Sequence, residues 1–70
     1  MTVEQAISRS MSHLEIIQCE FIGEYSDLVG YIEDCCENGD DAIFSIENDG
    51  AVDIADIEGD WRIRVTLTDN

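Results

Sequence analysis

The side chains best placed to do chemistry are carboxylates. Between Glu37 and Asp60, nine of 24 residues are acidic: Glu37, Asp40, Asp41, Glu47, Asp49, Asp53, Asp56, Glu58 and Asp60. No base lies among them. Unopposed carboxylates at this density can gather a divalent cation, exchange protons with a substrate, or pair with the Lys and Arg of a basic partner. They are interleaved with apolar residues, as in Ala51-Val52-Asp53-Ile54-Ala55-Asp56-Ile57-Glu58. That is the spacing of a strand and not of a disordered acidic tail. The acids are therefore expected at fixed positions on a folded surface.

The first two chemistries fit the sequence poorly. A calcium loop built on Gly50 would put Ser45, Glu47 and Asp49 at its first three ligand positions. Asp56 would stand at the last, where a bidentate Glu belongs, and the flanks read as strands where helices are required. A zinc site from His13, Cys19, Cys35 and Cys36 would use adjacent cysteines, not a two-residue spacing. These cysteines read instead as small buried apolar residues on helix stripes. His13 is the only histidine, and Ser10 and Ser12 flank it in sequence, which is not a catalytic geometry. Asp40 and Asp41 could exchange protons, but a 70-residue chain has scant room for a pocket beside its core. No catalytic residue, cofactor or metal is assigned, and the chain is read as a non-enzyme.

Charge favours the third chemistry. Seventeen acids oppose three arginines and no lysine, for a formal net charge of −14. Such a chain repels nucleic acid and anionic membranes, which need basic patches. Ordinary surfaces mix both signs, because like charges on neighbouring strands destabilise a sheet. Seventy compact residues span roughly 28 Å, a length over which duplex DNA carries about 16 phosphates. The chain's charge is thus on the scale of the DNA segment it could cover. A basic DNA-binding protein surface is the expected partner. Arg62 and Arg64 are expected to pair across strands with Asp53 or Asp56.

The elements that must hold these acids read as follows. Thr2-Val3-Glu4-Gln5 is a capping box. Val3, Ile7, Met11, Leu14, Ile17 and Phe21 form a stripe that predicts a helix from Val3 to Glu20. A competing reading ends that helix near His13 and makes Leu14 to Ile22 a strand. Ser26 caps a second helix from Asp27 to Glu37, with Leu28, Val29, Ile32, Cys35 and Cys36 as its stripe and Asn38-Gly39 as its stop. Three strands follow, marked by Ile43, Phe44 and Ile46; by Val52, Ile54 and Ile57; and by Trp61, Ile63, Val65 and Leu67. Turns at Asn48-Asp49-Gly50 and Glu58-Gly59-Asp60 join them. The expectation is one α+β domain over 1–70: two helices on one face of a three-stranded antiparallel meander, in the order α-α-β-β-β. The other face is expected to stay wet and to carry many of the acids, with Trp61 a core anchor beneath the helices.

Small size makes either a monomer or a weak homodimer expected. The start, Met1-Thr2-Val3-Glu4, is not a secretory leader, and no apolar run is long enough to span a membrane. An odd number of cysteines fits a reducing cytoplasm.

In size, charge and α/β character the whole chain resembles the small acidic phage-encoded anti-CRISPR proteins. It is most similar to those that act on type I effector complexes by imitating DNA, type I-C among them. The resemblance implies binding to the basic DNA-recognition channel of a Cascade complex, at its large Cas8-like subunit, in the host bacterial cytoplasm. It carries over no site residues. The nine acids above are assigned as partner-binding from their own pattern. Two other classes fit the same surface: a DNA mimic aimed at a restriction enzyme or nucleoid protein, and an antitoxin or immunity protein that neutralises a basic partner.

Overall fold

The computed structural model describes residues 1–35 and 42–68, and the side chain of Cys35 lies outside the described set. The elements are α1 (Val3–His13), β1 (Ile16–Ile22), α2 (Tyr25–Cys35), β2 (Ala42–Ile46), β3 (Ala51–Asp56) and β4 (Arg62–Thr68). They give an α+β fold in the order α-β-α-β-β-β. The sheet has four strands in the order β1-β4-β3-β2. This corrects the expected three-stranded antiparallel meander in the order α-α-β-β-β: the sheet is mixed, with β2, β3 and β4 pairing antiparallel and β1, predicted within the first helix, pairing in parallel with β4.

β1 corrects the single long helix. Thr2 and Gln5 do form the capping box: Thr2 Oγ1 accepts from the Gln5 amide at 3.2 Å, and Gln5 Oε1 accepts from the Thr2 amide at 3.0 Å. The buried face of α1 is Val3, Ala6, Ile7 and Ser10, however, and not a stripe running on to Phe21. Leu14 ends the helix in the left-handed region (φ 55, ψ 38), its side chain 82% exposed. For a residue with a Cβ this conformation costs about 1–2 kcal/mol. Tertiary contacts offset it. The Ser10 hydroxyl accepts from the Arg62 amide at 2.8 Å and lies within 2.7 Å of the Glu15 carbonyl and 2.6 Å of the Arg62 carbonyl. One buried hydroxyl thus ties the end of α1 to the starts of β1 and β4. From Ile17 the period is two: Ile17 and Cys19 are buried and Phe21 partly so.

α2 starts two residues earlier than Ser26 capping predicts. Asp27 Oδ2 instead accepts from the Glu24 amide at 3.3 Å, and the Leu28 amide bonds to the Glu24 carbonyl. Asp27 thereby satisfies an open amide at the helix start. The predicted stop at Asn38-Gly39 lies outside the described residues. Leu28 and Ile32 are fully buried. Tyr31 meets Phe21 of β1 (5.5 Å between ring centroids) and Tyr25 meets Phe44 of β2 (6.2 Å), so α2 reaches both edge strands. Gly23, which leads into α2, sits at φ 145. A Cβ there would come within 3.0 Å of the Phe21 ring.

One face of the sheet supplies the core: Ile17 and Cys19, Ile63 and Val65, Val52 and Ile54, closed by Val3, Ala6 and Ile7 of α1 and Leu28 and Ile32 of α2. Trp61 joins them as expected. Ile57, predicted on a strand, lies past the end of β3 in the turn, 63% exposed.

Candidate functional site: an unevenly neutralised acidic surface

Strand register decides where the acids go. Residues opposite each other share a face. The open face therefore carries Ile16, Gln18, Glu20 and Ile22 of β1; Arg62, Arg64, Thr66 and Thr68 of β4; Ala51, Asp53 and Ala55 of β3; and Ile43 and Ser45 of β2. This corrects the expectation of an acid-rich wet face. Only Glu20 and Asp53 are acidic at those positions, and two of the chain's three arginines lie among them. Of the other described acids, Asp56 ends β3 on the opposite face, and the rest stand on the helices and in the turns and loops.

The hairpin joining β2 to β3 holds one group. The Glu47 amide bonds to the Ala51 carbonyl at 2.8 Å and the Gly50 amide to the Glu47 carbonyl at 3.1 Å, with Gly50 at φ 86. Three residues thus turn the chain, the last needing positive φ. The turn folds Asp49 back over the sheet. Its Oδ1 accepts from the Ala51 amide at 3.1 Å, and its Oδ2 accepts from Arg64 at 2.7 Å. The Ala51 amide first, and the Arg64 guanidinium second, hold this carboxyl below its usual range. Arg64 is raised in turn, chiefly by its bond to Asp49. Asp53 stands opposite Arg64 as register requires, but 3.9 Å from it, and its Oδ1 is buried with no hydrogen-bond partner. The expected cross-strand pair is present, with a hairpin residue as the closer partner. Arg62 lies opposite Ala55 and makes no ion pair among the described residues.

The turn joining β3 to β4 holds the second group. The Asp56 amide bonds to the Trp61 carbonyl and the Gly59 amide to the Asp56 carbonyl, with Gly59 at φ 80. This brings carboxylate oxygens of Asp56, Glu58 and Asp60 within 4.8 Å of one another. Their separation would suit a shared hydrated divalent cation, though exposed acids also gather this way without one. No ion pair to a base neutralises them among the described residues.

The chain matches no protein-family model, no curated protein and no solved structure.

Of the nine predicted site residues, the fold gathers Asp56, Glu58 and Asp60 at one end of β3 and Glu47, Asp49 and Asp53 around Arg64 toward the other. Glu37, Asp40 and Asp41 lie outside the described residues. The fold does not gather the calcium-loop set: Asp49 is held by the Ala51 amide and Arg64 at the hairpin, while Asp56 ends β3 beside Glu58 and Asp60. Of the zinc candidates, Cys19 is a buried free thiol whose pKa burial pushes up, with the N-terminal ammonium pulling the other way. His13 is exposed at the end of α1. Sequence reasoning missed Ser10 as a structural residue. The available signal was its place three residues after Ile7 on the buried face of α1.

No helix among the described residues is long and apolar enough to cross a membrane.

Proposed function

We propose that this protein is an inhibitor that binds the basic, DNA-recognising surface of another protein and excludes DNA by occupying it. The observation that carries this reading is the uneven neutralisation of a −14 chain. Arg62 and Arg64 sit on the open sheet face, while Asp56, Glu58 and Asp60 converge with no base paired to them among the described residues. Turn carboxylates anchored to a sheet are held in a fixed pattern, so they can meet Lys and Arg with little loss of freedom on binding. Long-range attraction speeds encounter, and apolar contacts near the centre slow dissociation. The resemblance in size and charge directs the reading to the Cas8-like subunit of a type I CRISPR effector complex in the bacterial cytoplasm. The mechanism is occupancy, without catalysis.

The test is a pull-down from a CRISPR-bearing host at low and high salt, followed by competition against target DNA with purified effector. Association is expected to weaken steeply with salt. Replacing Asp56, Glu58 and Asp60 together by Lys is expected to abolish competition, with circular dichroism unchanged. Affinity that stays flat with salt, or a triple variant that inhibits fully, would sink the reading. Asp53 is not a suitable target, because its carboxylate is part of the Arg64 cluster beneath the hairpin.

A further inference from the structure

β1 and β2 are the two edges of the sheet, and they differ. Along its length β1 carries Gln18 and Glu20, and Met1 lies beside Cys19 and Glu20. β2 reads Ala42-Ile43-Phe44-Ser45-Ile46, with no charge and no proline. Natural edge strands are usually protected by such residues against pairing with another chain. Ile43 is 51% and Ile46 67% exposed. The ladder fixes which backbone groups are available. Because Glu47 bonds to Ala51, alternation places the β2–β3 hydrogen bonds at Ser45–Asp53 and Ile43–Ala55. The amides and carbonyls of Ala42, Phe44 and Ile46 then point outward, with no strand beyond them among the described residues.

Acids bracket this apolar edge. Ala42 stands opposite Asp56, which begins the three-carboxylate turn, and Glu47 follows Ile46 directly. Asp49 already occupies Arg64, and Glu47 makes no ion pair with a base among the described residues. We infer that β2 docks an extended segment of the partner, which joins the sheet as a fifth strand. The segment would carry a short apolar run with a basic residue at each end, about five residues apart, roughly 17 Å at strand rise. This rests on the basic-partner reading and deepens it: the acids choose the segment, and the Ala42, Phe44 and Ile46 backbone holds it. A second copy of this chain is a poor occupant, because it would bring acids to acids.

The probe is the acetylated peptide Lys-Arg-Val-Thr-Val-Thr-Val-Arg-Lys, titrated into the whole chain at low salt and followed by amide exchange. Two companion peptides are used, one N-methylated at alternate central residues and one with Gln in place of Lys and Arg. Binding is expected to slow exchange at Ala42, Phe44 and Ile46, and each companion is expected to bind about tenfold or more weakly. Ile43→Lys, at an exposed position, is expected to weaken binding about fivefold, and Gln18→Lys on the other edge to have much less effect. If the N-methylated peptide binds equally well, strand addition is wrong while the basic-partner reading stands. If the Gln peptide binds equally well, the bracketing acids are irrelevant and the reading beneath fails too. If those three amides are already protected in the free chain, the edge is occupied and the inference is overturned.

Discussion

The two ends of β3 carry equally acidic sequence and differ in what surrounds it. At the hairpin, Asp49 is tied to Arg64 and to the Ala51 amide, and Asp53 lies against the same guanidinium. At the β3–β4 turn, Asp56, Glu58 and Asp60 converge with no ion pair among the described residues. The difference teaches that acid density along a chain is not acid density in space. One arginine makes Asp49 and Asp53 part of the fold, while Asp56, Glu58 and Asp60 have no ion pair among the described residues.

Four experiments test the difference between the two ends. The largest effect is expected from Ile54→Ala, midway along β3 and fully buried. It should destabilise by about 2–5 kcal/mol, and amide exchange should rise at both ends together. If only one end loosened, the two would be independent units. Next is Ser10→Ala, which leaves the Arg62 amide without its partner and should cost about 1–3 kcal/mol. Exchange should rise first beside the β3–β4 turn and only later at Gly50 and Ala51.

The third experiment tests the sign of the hairpin carboxylate. Asp49→Asn should destabilise the chain, and the loss should depend on pH. The folded-state pKa of Asp49 lies below its ordinary value of 3.8. The stability it contributes is therefore present in full above that value and is lost as pH falls through the lower, folded pKa. Urea midpoints of wild type and Asp49→Asn should differ at neutral pH and converge on acidification. A difference independent of pH would remove Asp49's charge from the account. The smallest effect is expected from Glu58→Gln with Asp60→Asn, and it has the opposite sign. Removing unopposed charge should raise the thermal midpoint slightly at low salt, with the gain fading as salt screens the turn. A fall would show that these acids are held by contacts within the fold.

Local signals were legible where local physics decides. The capping box at Thr2 and Gln5, the turns at Gly50 and Gly59, and the alternation of β4 each follow from a few neighbouring residues. β1 was ambiguous because Leu14, Ile17 and Phe21 satisfy a helical stripe while Ile17, Cys19 and Phe21 satisfy a strand. Parallel pairing with β4, 46 residues onward, stabilises the strand, and no local pattern contains that partner. The candidate site was legible as composition. Its division was not, because the choice of Arg64's partner depends on how the hairpin folds over the sheet.

The sequence alone carries an α+β chain, an excess of carboxylates and the two glycine turns at Gly50 and Gly59. These follow from period, turn chemistry and charge count, which are properties of neighbours in the chain. Only the tertiary structure decided that β1 joins the sheet, that Ser10 fastens three elements, and that the open face carries two arginines and few acids. Each of those depends on residues far apart in sequence meeting through strand register. Register also sets Asp53 against Arg64 toward one end of β3, away from Asp56, Glu58 and Asp60, which have no ion pair among the described residues.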